Sequence, residues 1–273
     1  DTLQAAGKEV RDAEPRRSFL TETSETTAKA IREKMWDDQK GFFFDVDDQG
    51  RRAPVKTAAA FWTLISEVAD EAQRKSLADW LEDPATFNRA HRVPVLAADE
   101  EGYSPRGDYW AGSVWAPMNQ MIVLGLERCG YHELAKEIAM NDLSALNQVF
   151  RDTGTIWENY PADEITAGDS DHPDMVGWSG IAPILYLMQY AVGLGMDQQG
   201  RRLEWRLDES LLDAGRVGCE RYWFQGKNAD FLAEKTPQGV RVSVTTDSSF
   251  PLTVYVGARK IEKEITGTTQ FVV

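Results

Sequence analysis

Residues 107–119 combine aromatic rings, glycines and polar groups in a pattern that suits carbohydrate binding. Asp108 and Asn119 flank three aromatic residues that fall within seven positions around Gly112: Tyr109, Trp110 and Trp115. Sugar rings have apolar C–H faces that can stack on aromatic side chains, and hydroxyl edges that carboxylate and amide groups can hydrogen-bond. A packed helix entry explains the same residue types equally well.

A second stretch, Trp157-Glu158-Asn159-Tyr160, places one carboxylate between two aromatic residues. The stretch shows no helical or strand periodicity, and irregular segments often carry functional side chains. A carboxylate that rings shield from water is a typical proton-transfer group. The competing and more common interpretation is a surface glutamate on a loop. From residue types alone, Glu158 is therefore a candidate rather than an assignment.

Two further stretches carry glycines or acidic groups. The glycines of Gly177-Trp178-Ser179-Gly180 would let the backbone approach a ligand closely, although a helix start capped by Ser179 fits equally well. Residues 168–174 contain three Asp and one His, but their spacing differs from that of a calcium-binding loop. The three histidines of the chain are far apart, and no phosphate-binding glycine loop is present. We therefore predict no metal and no cofactor.

Helices must position these stretches. Apolar spacing predicts helices over residues 18–36, 57–69, 71–81, 113–128, 133–150 and 178–192. Between them lie two long segments with little periodicity, 87–106 and 151–177, which we predict to be loops of functional importance. Paired antiparallel helices in series favour a toroid or solenoid over a simple bundle.

The pattern changes after about residue 199, where apolar and polar residues alternate over short runs. This alternation predicts about six short strands, which would form a small β-sandwich. We accordingly predict a mainly α chain with two domains, a helical one over residues 1–196 and a β-strand-rich one over residues 197–273. The linker is expected near residues 195–200.

The charge balance limits the partners of the chain. The 273 residues carry 30 Lys and Arg against 44 Asp and Glu, a net charge of −14. Such a surface repels nucleic acid and anionic membranes, and no stretch approaches the roughly 18 apolar residues of a membrane helix. A neutral oligosaccharide substrate is compatible with this balance.

Taken in order, the aromatic stretches resemble a known group: the inverting α-glycosidases with an (α/α)6 toroid. This group includes processing α-glucosidase I, its bacterial relatives, mannosylglycerate hydrolases and, more distantly, trehalases. Its pattern reads Tyr-Trp-Arg-Gly-Pro-x-Trp, then Trp/Tyr-Glu-x-Tyr, then Gly-Trp-Ser/Thr. The chain has Tyr109-Trp110-Ala111-Gly112-Ser113-Val114-Trp115, Trp157-Glu158-Asn159-Tyr160 and Gly177-Trp178-Ser179. The resemblance covers roughly residues 20–196.

The resemblance implies roles for the site residues. Glu158 would be the general base that activates water. The sugar pocket would be lined by five aromatic side chains: Tyr109, Trp110, Trp115, Trp157 and Trp178. Asp108 and Asn119 would bind hydroxyl groups, and Tyr160 would belong to the same site. Inverting hydrolysis also needs an acid about 6.5 to 9.5 Å from the base, so that a water molecule fits between them.

Two departures from the group's pattern are informative. Ala111 and Ser113 replace its Arg and Pro, so a guanidinium that faces substrate in the group is missing here. The motif that carries the group's acid, which lies upstream of the matching region, has no counterpart in this sequence. About six helices are predicted, whereas a full toroid has twelve. The chain therefore resembles the C-terminal part of a catalytic domain, completed by an upstream half or by a separate chain.

Two other functions are compatible with the sequence. A non-catalytic carbohydrate-binding or assembly protein could keep the aromatic groove, and Ala111, Ser113 and the missing acid favour this reading. A polysaccharide lyase or isomerase on the same fold would need a tyrosine or histidine base. Tyr109 and Tyr160 are available, but the acidic balance and the scarcity of histidine disfavour action on uronates. The sequence leaves the sugar and its linkage open.

Overall fold

A computed structural model describes residues 7, 12–168, 172–174, 177–197 and 202–273. Helices, loops and one short β-hairpin make up the part up to residue 193, which we call the helical part. Strands dominate the part from residue 194 onward, which we call the β part. The chain is thus partly helical rather than mainly α, because long loops separate the helices and the last third is β-structure. No helix among the described residues combines the length and apolar character needed to cross a membrane.

The chain begins with a long exposed helix, α1 (Ala13–Lys34), which starts five residues before the predicted position. None of its residues is fully buried; Ile31 and Met35, at its C-terminal end, pack against the core. A two-stranded hairpin follows, in which β1 (Trp36–Asp37) pairs with β2 (Phe42–Phe43). Both phenylalanines of β2 are buried, so the hairpin anchors the start of the helical core.

The helix predicted over residues 57–69 is much shorter in the structure. A 3₁₀ turn (Ala58–Phe61) leads into α2 (Trp62–Ile65), and Glu67 then adopts a left-handed backbone conformation. The reason is tertiary, because Thr57 pairs with Leu96 in an isolated β-bridge and is extended. The next helix, α3 (Glu71–Glu82), agrees with prediction within one residue and begins with an Asp70–Gln73 capping box.

The centre of the helical part is the pair of helices α4 (Ala116–Arg128) and α5 (His132–Thr153), which pack against each other. Helix α4 starts three residues later than predicted because Trp115 is extended. Gly125 of α4 lies against α2 so closely that a Cβ there would come within 2.8 Å of the Ile65 nitrogen.

The predicted helix over 178–192 divides into a 3₁₀ turn (Trp178–Gly180), α6 (Ile181–Tyr186) and a π-helical stretch (Leu187–Val192).

The β part contains two four-stranded sheets. The first has the order β10-β7-β6-β5 and the second β3-β4-β8-β9, with β4 and β8 parallel and the other pairs antiparallel. The strands are β3 (Leu194–Met196), β4 (Leu203–Leu207), β5 (Val217–Phe224), β6 (Lys227–Thr236), β7 (Gly239–Thr246), β8 (Phe250–Val256), β9 (Arg259–Ile265) and β10 (Thr268–Val272). A short helix, α7 (Glu209–Ala214), connects β4 to β5.

The two sheets share one apolar core. Trp205 of β4 packs edge-on against Phe231 of β6, with 5.3 Å between ring centroids, and Phe250 of β8 contacts Phe224 of β5 at 4.8 Å. Both contacts join one sheet to the other, as in a sandwich. Of the predicted linker, residues 198–200 lie outside the described residues, and residues 194–196 form β3.

Candidate active site

Five loop segments that are distant in sequence are hydrogen-bonded side by side. In spatial order they are 172–173, 157–160, 113–114, 95–97 and 56–58. Val114 and Tyr160 exchange backbone hydrogen bonds of 2.7 and 3.1 Å, Val95 donates to the Ser113 carbonyl, and Ala58 donates to the Val95 carbonyl. These hydrogen bonds connect the two long loops that were predicted to be functional, 87–106 and 151–177. They pair backbone N–H and carbonyl groups of the loops without forming regular strands.

Glu158 lies in the second of these segments and is only 5% exposed. Its backbone is held at both ends: its N–H donates to the His172 carbonyl, and its carbonyl accepts a 2.8 Å hydrogen bond from the Ser179 hydroxyl. Its Oε2 atom is buried and has no hydrogen-bond partner among the described residues. A buried carboxylate with a free acceptor oxygen is able to take a proton from a bound molecule.

An aromatic cluster is built on Trp115, which is 1% exposed. The Trp110 ring stacks on it at 4.3 Å and 6°, and the rings of Tyr109 and Trp178 meet it edge-on at 4.8 and 5.6 Å. Tyr109, Trp110 and Trp178 remain 41%, 51% and 44% exposed. One buried indole thus carries three solvent-facing rings, the arrangement that an apolar sugar face needs for stacking.

The loop that carries these rings has an unusual backbone. Asp108 and Tyr109 both have positive φ angles, 39° and 62°, between Gly107 and Gly112, which also have positive φ. A non-glycine residue in this region costs of order 1–3 kcal/mol, and such strain concentrates at functional sites. The exposed Asp108 accepts a 2.6 Å hydrogen bond from the Ser104 hydroxyl, which helps to hold the loop.

The remaining predicted site residues lie deeper or to one side. Asn119 is fully buried on α4, and its amide donates to the Arg92 carbonyl at 3.3 Å. Tyr160 is 2% exposed, and its hydroxyl accepts from the Trp157 backbone N–H. Trp157 is half-buried and packs with Tyr160 and Leu146 in a small cluster separate from the Trp115 rings.

All three predicted aromatic stretches are in contact with one another. The Val114–Tyr160 pairing joins the first stretch to the second, the Ser179–Glu158 hydrogen bond joins the third to the second, and the Trp115–Trp178 contact joins the first to the third. Of the acidic loop considered for metal binding, residues 169–171 lie outside the described residues. Asp174 accepts a hydrogen bond from the Thr155 hydroxyl.

Several buried polar residues of this region were not singled out by sequence reasoning. Asn159 is fully buried with both side-chain polar atoms unpartnered among the described residues, and so is the hydroxyl of Ser113. His91 and Asp142 form a buried pair. Asn159 lies inside the Trp-Glu-Asn-Tyr stretch, a signal that could have drawn notice. His91 and Asp142 are 51 positions apart, and only the fold brings them together.

Comparison with known proteins first defines the fold. The neutral trehalase of Saccharomyces cerevisiae aligns with a TM-score of 0.52 over 62% of this chain and 30% of that one, at 23% identity. A likeness at this level concerns the fold, which is trehalase-like.

The family follows from sequence. The chain belongs to the mannosylglycerate hydrolase MGH1-like glycoside hydrolase domain family, which matches residues 1–172. An uncharacterized protein of Borreliella burgdorferi is 23% identical over 84% of this chain and 50% of its own length. A mannosylglycerate hydrolase of Rubrobacter radiotolerans is 28% identical over 56% of this chain and 34% of its own length. The chain thus spans half or less of the length of these relatives.

Proposed function

We propose that the protein is a glycoside hydrolase that acts on an oligosaccharide, with Glu158 as its catalytic carboxylate. The observation that carries the proposal is the coincidence of two features: a buried carboxylate with one oxygen unpartnered among the described residues, and three exposed rings on Trp115 whose loops are bonded to the Glu158 segment. Membership of a glycoside hydrolase family agrees with this chemistry.

The proposed reaction inverts the anomeric centre. Glu158 accepts a proton from a water molecule as that water attacks the anomeric carbon, and a second carboxyl group protonates the departing oxygen. We expect this acid outside the chain, about 6.5 to 9.5 Å from Glu158 in the assembled site. Burial of Glu158 shields the reacting water from bulk solvent, which strengthens electrostatic interactions in the site.

The proposed sugar contacts divide into two groups. Asp108, Tyr109, Trp110 and Trp178 are exposed and would touch the substrate directly, the rings by stacking and the carboxylate by accepting hydrogen bonds from hydroxyls. The other proposed site residues are more buried, and their part would be to support the exposed rings and Glu158: Trp115, Asn119, Trp157 and Tyr160.

We further propose that residues 1–196 are the C-terminal part of an (α/α)6 toroid and residues 197–273 a separate β domain. In support, buried apolar residues of the helical part and of the β part form distinct clusters. The missing half of the toroid would be upstream sequence or a complementing chain. Large apolar side chains that stay exposed on the helical part, including Phe19 and Ile184, are compatible with such a partner.

The test is Glu158→Gln in the full-length protein, with Glu164→Gln as matched control because Glu164 is exposed on the same loop. Removing a general base lowers kcat by about 10²–10⁴-fold. We expect that loss for Glu158→Gln, unchanged thermal unfolding, and full activity for Glu164→Gln. Sugar release should be measured on mannosylglycerate, trehalose and α-glucosides, with the anomeric configuration of the product followed by NMR. Near wild-type activity of Glu158→Gln would refute the assignment.

The sugar-release assay, combined with calorimetry, distinguishes a hydrolase from a protein that only binds sugar. The three exposed rings would also serve a non-catalytic carbohydrate-binding protein, since stacking needs no carboxylate. Calorimetry that detects oligosaccharide binding while no substrate is hydrolysed would favour that alternative, whereas sugar release would exclude it.

A further inference from the structure

A buried histidine–aspartate pair adjoins the Glu158 segment and has no role in the proposed reaction. His91 and Asp142 are each 1% exposed, and Nε2 of His91 lies 2.6 Å from Oδ1 of Asp142. Because a carboxylate only accepts hydrogen bonds, the Nε2–H of His91 donates to it. The pair fastens the loop that follows α3 to the middle of α5.

His91 contacts the segment after Glu158 in two ways. Its backbone N–H donates a 2.8 Å hydrogen bond to the Ala162 carbonyl. Its ring lies 5.6 Å from the Tyr160 ring, tilted by 52°. Displacement of His91 would therefore change the contacts of Tyr160 and Ala162, which lie in the segment that begins with Glu158.

The neighbours of His91 are fastened to the same two helices. The Asn141 side chain of α5 accepts from the Arg92 N–H at 2.8 Å and donates to the Ala90 carbonyl at 2.9 Å. Asn119 of α4 donates to the Arg92 carbonyl. Three consecutive residues, 90–92, are thus bonded to helix side chains through their backbones or, at His91, through the ring.

The backbone next to this loop is strained. Val93 is fully buried and has a φ of 64°, a conformation that a β-branched residue rarely adopts. Such a conformation persists only where the surrounding contacts determine it. The hydrogen bonds of residues 90–92 supply those contacts, so the loop has one well-defined position.

Glu158 depends on its backbone for its own position. Among the described residues, no side chain hydrogen-bonds to its Oε2, and its segment is held by the His172 carbonyl, the Ser179 hydroxyl and the pairing of Tyr160 with Val114. We propose that His91 and Asp142 are positioning residues, which hold residues 158–162 and so aim the Glu158 carboxylate. The catalytic part of this inference rests on the proposed function.

The first test compares Asp142→Ala with Asp142→Asn in the full-length protein. Alanine removes the acceptor for His91, whereas asparagine keeps an oxygen in its place. Misplacing a catalytic group by about 1 Å can cost about 100-fold in rate. We expect Asp142→Ala to lower kcat by about 10- to 100-fold with KM within about twofold, and Asp142→Asn to restore most of that loss. His132→Gln is the control, because His132 also pairs with a carboxylate, Glu127, but is more than half exposed.

The second test needs no turnover. Hydrogen exchange should show faster exchange at the amides of His91, Val114 and Tyr160 in Asp142→Ala, while the amides of α3 keep their wild-type protection. Asn141→Ala, which leaves the buried pair intact but loosens the same loop, should show a weaker version of the same pattern. It serves in place of Asp142→Ala if that variant does not fold.

Three results would overturn the inference: wild-type kcat and exchange in both Asp142→Ala and Asn141→Ala, protection lost uniformly across the helical part, or a rise in KM with unchanged kcat. If the wild-type protein hydrolyses no substrate, the proposed function fails, and the exchange pattern alone then decides whether the pair positions residues 158–162.

Discussion

The helical part and the β part differ in what they bury. Among the described residues, every buried side-chain polar atom without a hydrogen-bond partner belongs to residues 92–186, and so to the helical part. Over residues 194–197 and 202–273, the buried polar residues are two threonines, Thr246 and Thr253. An unpartnered buried polar group costs about 1–3 kcal/mol, so such groups persist where they have a use beyond stability.

The backbone shows the same contrast. The β part consists mostly of regular ladders, from the parallel β4–β8 pair to the long β6–β7 hairpin, with one bulge in β5 at Arg221, whose φ is 53°. The site loops of the helical part are held by single bridges, and Val93, Asp108 and Tyr109 are strained. We infer that the β part is optimised for packing, while the helical part gives up local stability in the loops that carry Glu158 and the exposed rings.

The largest expected effect tests the packing role of the β part. Trp205 is fully buried between the sheets, and Trp205→Ala should lower the free energy of unfolding of this part by about 3–5 kcal/mol. Denaturant titration would measure the loss, and Trp205→Phe, which keeps most of the ring, should lose much less. Oligosaccharide affinity in the absence of denaturant should not change. A parallel loss of affinity would show that the two parts are not independent.

The second effect concerns exposed tryptophans in the two parts. Trp110→Ala should weaken oligosaccharide binding by about 1–2 kcal/mol, roughly tenfold, with little change in stability because the ring is half exposed. Trp223 on β5 is 67% exposed and provides the matched control. Calorimetry of both variants decides the point: equal losses of affinity would contradict a sugar site confined to the helical part.

A third, smaller effect tests the stability cost of the buried polar groups. Asn159→Leu replaces two buried polar atoms, which have no hydrogen-bond partner in the described part of the chain, by methyl groups of similar volume. The variant should raise the free energy of unfolding by about 1 kcal/mol. Activity should fall at the same time, because Asn159 adjoins Glu158. If Asn159→Leu is instead less stable than wild type, the Asn159 amide has hydrogen-bond partners in solution. The helical part and the β part would then differ less in their buried unpartnered polar groups.

The smallest effect concerns the link between the two parts. Lys136 of α5 and Asp208, which caps α7, form a 2.6 Å ion pair. Burial alone would raise the pKa of Asp208, but hydrogen bonds from Lys136 and Ser210 outweigh it and lower the pKa to about 2. Because the folded pKa is depressed, this stabilisation is present above pH 4 and is lost as the pH falls towards 2.

Lys136→Met should therefore destabilise the protein by at most about 1 kcal/mol at neutral pH, since the lysine is partly exposed. The difference from wild type should shrink as the pH is lowered from 4 to 2. Thermal unfolding of both proteins across this range is the measurement. A difference that stays constant with pH would assign the effect to lost packing of the lysine stem.

Local sequence patterns predicted the elements whose signals are local. Helix α3 was found within one residue because its capping box and apolar spacing act over a few positions. The change from helices to strands was predicted after about residue 199 because alternation is also a short-range signal, and in the structure it comes earlier, with β3 at Leu194–Met196. The helix over 57–69 was wrong, because pairing of Thr57 with Leu96 overrides the local preference of an alanine-rich run. The helix predicted over 178–192 is divided at Gly180 and Tyr186 into 3₁₀, α and π stretches, and the spacing of apolar residues does not predict this division.

The sequence by itself predicted which residues could meet a sugar: the rings of Tyr109, Trp110 and Trp178, and the carboxylate of Glu158 between two aromatics. Only the tertiary structure decided that Trp115 is buried while three rings stay exposed on it, and that His91 and Asp142 form a pair. The physical reason is that exposure and buried hydrogen bonds depend on contacts between segments tens of residues apart. Such contacts produce no local periodic pattern in the sequence from which they could be predicted.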